Sequence, residues 1–283
     1  MSAKDILLPN QQFPSNFDVN TALLCTQLIN QAYEMFNQWK EQDEPKESEF
    51  RWAKPKPIDD ALTYSEPLWG TISYRMRVVG PGKEVRIRQK TERAPISFIA
   101  AGSRDVYVAF RGTQTKNEWT SINALLLPMN CAFDTFKDGK VHLGFLNYYE
   151  TIRDSLLRYL KELSVAGKRI VFTGHSLGAA LSTLATLDAA PRLRDCRKIS
   201  HYNFGCPRVF NPTLARNYET LPVTTFRIAN TQDAVPAMPL ASFGPIDFQH
   251  VGTSIYFSAE QAPHSMVTYT YALEHPKKPE KPT

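Results

Sequence analysis

IVFTGHSLGAALSTLATLDAA, Ile170 to Ala190, is the stretch whose reading decides the fold. Ile170, Val171, Phe172 and Thr173 form a short apolar run with β-branched members, which predicts a buried strand, and the residues from Leu177 onward are rich in helix formers. The pentapeptide GHSLG, Gly174 to Gly178, therefore joins a strand to a helix. A serine at the tip of such a turn is held in a tight backbone conformation with its hydroxyl above the sheet, and the flanking glycines let strand and helix approach closely. The turn reads as a nucleophile elbow with Ser176 as nucleophile, and the small residues Ala179, Ala180, Ser182, Thr183 and Ala185 suit a helix pressed against a sheet.

Outward from the elbow, strands and helices alternate. Upstream, Phe145, Tyr149, Ile152, Leu156 and Leu160 mark an amphipathic helix over about 145–163, preceded by strands at Ile96 to Ala100 and Val106 to Phe110. Downstream come a strand near Tyr202 to Gly205, a helix from about Pro212 to Tyr218, strands at Val223 to Ala229 and near Val251 to Phe257, and a helix from about Ser265 to Leu273. This order predicts an α/β fold, a mainly parallel central sheet covered by helices on both faces. Nearer the start, Asp18 is a plausible N-cap for a helix with Leu24, Leu28, Ala32, Met35 and Trp39 on one face, followed by a Pro-containing loop over 41–60. Gly80, Pro81 and Gly82 signal a hairpin whose alternation sets Met76, Val78, Val85 and Ile87 against Arg75, Arg77, Arg86 and Arg88, a basic and solvated face. Residues 1–275 read as one domain and 276–283 as a disordered Pro/Lys-rich tail.

The 283 residues are 42% hydrophobic and 22% charged, enough for one large core, and the formal net charge is +5. No basic stripe with interleaved aromatics points to nucleic acid. No apolar run has the length of a membrane span, and residues 1–20 lack a secretory pattern, so a cytosolic location is expected, peripheral at lipid surfaces. Cys25, Cys131, Cys196 and Cys206 are scattered without CxxC spacing and read as free thiols, and no metal or organic cofactor is implied.

A serine hydroxyl needs a base to take its proton, and the base needs a third group to orient it. After a nucleophile elbow these partners follow as acid, then histidine. His142 precedes Ser176, His175 lies inside the turn, His201 comes too early and His275 lies at the tail, which leaves His250 and His264. His264, in a loop that opens the last helix, is favoured; His250 at the start of a strand suits a structural hydrogen bond. Asp188 and Asp195 lie on and just beyond the elbow helix, whereas Asp233 follows the strand carrying Phe226 and Ile228 and is preferred, also over Asp247. Arg111, Gly112 and Thr113 end a strand where a backbone N–H and a hydroxyl can face a neighbouring loop, a weak sign of an oxyanion hole. Beyond them Trp119, Ile122, Leu125 and Leu126 recur at helical spacing, with Lys116, Asn117, Glu118 and Asn123 mainly on the other side, which reads equally as a lid or as a fixed core helix.

With these residues placed, the chain resembles the class 3 lipases, the filamentous-fungal type of triacylglycerol lipase within the α/β-hydrolases. FRGT at Phe110 to Thr113, KVHLGF at Lys140 to Phe145, TGHSLGAAL at Thr173 to Leu181, FGCPRV at Phe204 to Val209, FRIANTQDAVP at Phe226 to Pro236 and HVGTSIYF at His250 to Phe257 carry the resemblance in family order. It implies Ser176 as nucleophile, Asp233 as acid, His264 as base, and the backbone amides of Thr113 and Leu177 as oxyanion hole. It also implies a lid over about 114–127 and an ester lipid as substrate. Cys206 and Phe210 stand where Ser and Gly are common in the family, a difference expected to touch packing only. The expected chemistry is carboxylic-ester hydrolysis through an acyl-enzyme. Phospholipase A1, a soluble-ester esterase and a silent lipase-like binding module are the alternatives.

Overall fold

A computed structural model describes residues 13–58, 61–79, 85–115, 118, 127–131, 133, 136, 138–163, 165–243 and 246–276. Most of the predicted lid, residues 116–117 and 119–126, and the tail from 277 therefore lie outside the described residues, as does the turn at Gly80 to Gly82.

The helix α1 (Val19–Glu41) starts where Asp18 caps it, the carboxylate accepting from the backbone N–H of Asn20 and Thr21. Two long strands follow the short β1 (Thr63–Tyr64): β2 (Leu68–Val79) and β3 (Val85–Ala101), paired antiparallel out to Val79 opposite Val85. The predicted strand at Ile96 to Ala100 is thus not separate; it is the far end of β3. Pro95 lacks the N–H a ladder needs, and the pairing shifts there, with Leu68 opposite Ser97 and Trp69 opposite Pro95. A bulge at that point lets the strand run through the proline.

From β3 the sheet turns parallel. β4 (Asp105–Phe110), β7 (Arg169–His175), β8 (Lys198–Phe204), β9 (Val223–Asn230) and β12 (Thr253–Phe257) lie side by side in that order, each parallel to the next. β5 (Pro128–Asn130) and β6 (Lys140–His142) form a separate ribbon, and β10 (Ser242–Phe243) pairs with β11 (Ile246–Asp247). The strand predicted at Tyr202 begins four residues earlier, at Lys198, so His201 lies inside it. Ser200, His201 and Asn203 mask the strand's hydropathy, yet all three are buried because β8 is central and paired on both sides.

Alternation along these strands divides the core. On one side Val106, Val108, Phe110, Ile170, Phe172 and Ile199 meet α2 (Leu143–Glu162), α3 (Leu177–Ala189) and α4 (Pro212–Glu219). On the other, Tyr107, Val171, Tyr202, Phe204, Phe226, Ile228 and Ile255 meet α1 and α5 (Met266–Glu274). Every residue of α3 is buried, which suits a helix that is apolar or small on all sides. The four cysteines carry free thiols, three of them buried. Among the described residues no helix is long and apolar enough to cross a membrane.

Candidate active site

The elbow is built by close approach of backbone. A Cβ on Gly174 would lie 2.1 Å from the carbonyl oxygen of Gly178, and one on Gly178 would lie 2.3 Å from that of Arg111. Only hydrogen fits at either place, so the end of β4 rests on the first turn of α3. Ser176 is pressed into φ 58° and ψ −124° between them. A non-glycine residue held there is strained, and such strain gathers at functional sites. The residue itself is almost fully buried, at 4% exposure.

His264 and Asp233 reach Ser176 from the far end of the sheet. His264 Nε2 lies 2.7 Å from Ser176 Oγ, and its Nδ1 lies 2.6 Å from Asp233 Oδ2. The carboxylate is fixed from three sides, since Tyr269 Oη donates to the same oxygen at 2.7 Å and the Val235 N–H donates to Oδ1 at 2.9 Å. The His264 loop is tied to the Asp233 strand by one amide: Asn230 Nδ2 donates to the carbonyls of Ala259 and Pro263, and Asn230 Oδ1 accepts from the Ala259 N–H. Ser265 then caps α5 immediately after His264, its hydroxyl accepting from the Val267 N–H. Gly205 has φ +58°, and a Cβ there would press on Asp233 Oδ2, the Tyr269 hydroxyl and the His264 ring at 3.0 to 3.2 Å.

Thr113 and Leu177, the expected amide donors, stand on the two segments that Gly178 brings together. The loop carrying Thr113 is organised from inside the protein. Arg111, wholly buried, makes a two-pronged pair with Glu118 at 2.8 and 3.1 Å, and the same carboxylate accepts from the N–H of Gln114 and Thr115. Tyr148 Oη adds a third kind of donor at 3.2 Å. The Arg111 guanidinium holds the Glu118 carboxyl below the usual carboxylate range against a burial effect that pushes it up. Sequence periodicity set Glu118 mainly on the side away from the apolar residues of a helix that reads equally as a lid or a core helix. The structure instead buries it at 1% exposure, because its charge answers the arginine beneath the loop.

Tyr33 joins the loop to the elbow. Its hydroxyl lies 2.7 Å from His175 Nδ1 and so close to the loop that a Cβ on Gly112 would fall 2.3 Å from it. Burial first, then the neighbouring His264 ring at 4.6 Å between centroids, keeps His175 well below the ordinary histidine range. Tyr33, Thr113, Ser176, Val235, His264 and Val267 line one open cleft of about 830 Å³.

The other candidates lie elsewhere. His250 Nε2 contacts the Pro236 carbonyl at 2.8 Å, a structural bond of the kind expected. His201 bridges Ser182 and Tyr218, His142 stacks on Phe145 at 4.2 Å, and His275 stacks on Tyr271. Asp188 pairs with Arg153 and Arg192 behind α3, and Asp247 stands in the β11 arm. Sequence reading missed Tyr33, Tyr269 and Asn230. The two tyrosines sit on helices where aromatics at apolar spacing read as core, and Asn230 lies inside the FRIANTQDAVP stretch without a marker of its own.

A mainly parallel sheet, an elbow serine and partners in the order acid then histidine define an α/β-hydrolase. Residues 107–243, just under half of the chain, match the model of the family described as Lipase (class 3). The chain is 30% identical over 191 residues to a lipase of Rhizopus niveus, covering 61% of this chain and 47% of the relative. It is 33% identical over 157 residues to the secreted mono- and diacylglycerol lipase A of Penicillium cyclopium, covering 54% and 48%. A chloroplastic phospholipase A(1) of Arabidopsis thaliana is 31% identical over 153 residues, 49% of this chain and 34% of that protein. The chain thus spans about half the length, or less, of these curated relatives. Among solved structures, the triacylglyceride lipase of Rhizomucor miehei superposes with a TM-score of 0.54 at 19% identity, over 86% of this chain and 81% of that one. Lipase II of Rhizopus niveus does so at 0.55 and 20%, over 85% and 82%. These likenesses carry the fold.

Proposed function

We propose that this chain hydrolyses carboxylic esters of acylglycerols, with Ser176 as nucleophile, His264 as general base and Asp233 as the acid that orients it. The observation that carries the reading is the unbroken contact from Ser176 Oγ through the His264 ring to Asp233, at 2.7 and 2.6 Å. The Ser176 hydroxyl donates to Nε2, which is positioned to take its proton as Oγ attacks the ester carbonyl. The Nδ1–H donates to Asp233, which stabilises the imidazolium formed in that step. The amides of Thr113 and Leu177 serve as donors to the oxyanion of the tetrahedral intermediate. Its collapse expels the alcohol, protonated from Nε2, and leaves an acyl-enzyme. The same imidazole then takes a proton from the water that attacks the acyl carbonyl, and the second tetrahedral intermediate breaks its bond to Ser176 Oγ, which regains the proton from Nε2 as the acid is freed. A neutral His175 beside the base suits this cycle, since a second positive ring at that distance would oppose the imidazolium.

The test is hydrolysis of a short-chain ester across its solubility limit, with Ser176→Ala as control. A rate jump when droplets form, absent in the control, supports a lipase with a lid over about 114–127; smooth saturation below the limit supports a soluble-ester esterase. Release of fatty acid from phosphatidylcholine but not from acylglycerol would favour the phospholipase reading. Failure of an organophosphonate ester to label Ser176 would sink the triad assignment, because labelling needs an activated serine.

A further inference from the structure

The hairpin of β2 and β3 is longer than the sheet it borders. β3 runs antiparallel to β4 with Ser97 opposite Phe110, and Phe110 in turn lies opposite Gly174 at the elbow. Every residue of β3 before Ser97 therefore lies past the carboxyl ends of the parallel strands, on the edge that holds Ser176. The ladder with β2 continues to Val79 opposite Val85. At a rise of about 3.3 Å per residue, Lys90 and Val85 stand roughly 23 Å and roughly 40 Å along the strand from Ser97. The base of this arm is packed: Ile72 and Tyr74 lie against the core, and the Thr71 N–H donates to Thr151 Oγ1 of α2 at 2.9 Å. Farther out, Gln89, Lys90 and Thr91 are exposed.

Residues 75–79 and 85–90 of the arm hold Arg75, Arg77, Arg86, Arg88 and Lys90 and no carboxylate. The chain has 33 lysines and arginines against 28 aspartates and glutamates, so its other 28 cations are matched one for one. The whole formal charge of +5 belongs to these two stretches. Alternation in the sequence predicts one apolar and one basic face, with Val78 and Val85 together. The register differs: Arg77 lies opposite Ile87, Val78 opposite Arg86 and Met76 opposite Arg88. Directly opposite residues share a face, so arginine and aliphatic positions are mixed on both. The cause is the five residues between Val79 and Val85, an odd number, which slips the pairing by one from the two-residue turn that would set Val78 against Val85.

We infer that this arm docks the carboxyl edge of the sheet onto an anionic lipid surface. Five cations gathered on one edge of an otherwise charge-balanced protein are drawn to such a surface, by about fivefold in partitioning for each Lys or Arg that reaches it. Aliphatic positions beside the arginines suit the boundary between headgroups and acyl chains, where charge and apolar surface are met together. Residues 75–90 contain no aromatic side chain, so the arm lacks the stacking groups that nucleic-acid binding uses. That the same surface supplies substrate to the Ser176 cleft rests on the ester reading above; the docking itself does not.

Sedimentation with vesicles tests it, using Ser176→Ala chains so that no lipid is consumed. At about 0.1 M salt the chain should bind phosphatidylcholine vesicles containing about 30% phosphatidylglycerol but not pure phosphatidylcholine, and about 0.5 M salt should release it. Arg86→Gln with Arg88→Gln should weaken that binding by about 25-fold. Arg86→Lys with Arg88→Lys keeps the charge and should bind within about twofold of the parent. Lys168→Gln with Lys198→Gln removes as much charge from the amino ends of β7 and β8, and should change little. No preference for anionic vesicles, equal weakening in both glutamine pairs, or a lysine pair as weak as its glutamine counterpart overturns the inference. So does release from the vesicles by a DNA duplex at equal phosphate concentration, which would make the arm a general polyanion site. A chain with Ser176 intact that docks in this way yet hydrolyses no ester would leave the docking standing and remove the ester reading.

Discussion

On the proposed mechanism Ser176, His264 and Asp233, joined at 2.7 and 2.6 Å, act as a unit, and their removal is expected to be non-additive. Ser176→Ala should lower kcat by about 10⁴- to 10⁶-fold, and adding His264→Ala should cost little more. If the double variant lost activity by the product of the single losses, the three residues would not be working together. Tyr33 is a positioning residue of another kind, since its hydroxyl bonds His175 Nδ1 and packs against Gly112 at once. Tyr33→Phe leaves the buried His175 Nδ1 without its partner, at a cost of about 1–3 kcal/mol. Because Tyr33 lies between the loop carrying Thr113 and the elbow, part of that cost should appear as a fall in kcat of about tenfold with KM little changed, while Tyr33→Phe should still be labelled by phosphonate. An unchanged kcat with a lower Tm would make Tyr33 merely a packing residue.

At the scale of elements, the site depends on how closely β4 meets α3. Gly178→Ala would drive a methyl group to 2.3 and 2.5 Å from the carbonyl oxygens of Arg111 and Phe110. Backbone cannot yield there as a side-chain tip can, so the variant should fold poorly or lose its elbow, and circular dichroism with phosphonate labelling tells the two apart. The Arg111 and Glu118 pair braces the same junction from below. Glu118→Ala strands a buried guanidinium and two backbone N–H groups, and urea unfolding should show a loss of about 3–5 kcal/mol. A loss under about 1 kcal/mol would mean that water reaches Arg111 and replaces the carboxylate.

The whole molecule folds around several buried neutral histidines, and this gives its stability a pH dependence of definite sign. Burial lowers His142 to about 4 and His201 to about 3, and lowers His250, aided by Arg227 and Arg208, to about 3; His175 is also lowered. The unfolded chain, with histidines near 6.5, binds protons that the folded chain refuses. Their contribution is therefore complete above about pH 6.5 and is lost as pH falls toward the folded-state values, by ~1.4 kcal/mol per pH unit for each histidine. Urea unfolding at about pH 7 and about pH 5.5 should show that loss, and a flat profile would mean the rings are hydrated or protonated in the fold.

Much of this was legible in the chain itself, and for local reasons. The elbow turn, the cap at Asp18 and the alternation of strands and helices are short-range patterns, because backbone sterics and hydropathy period act over a few residues. What only the tertiary structure decided involves groups far apart in sequence. Tyr33 meets His175 across 142 positions, Arg227 meets Tyr256 across 29, and Asn230 meets the His264 loop across 33. Glu118 lies inside because a buried arginine needs its charge, and Pro95 sits in an unbroken β3 because a bulge in the partner pairing admits it. Hydropathy scores each residue for its own transfer from water, whereas burial of a polar group is decided by the partner that the fold brings to it.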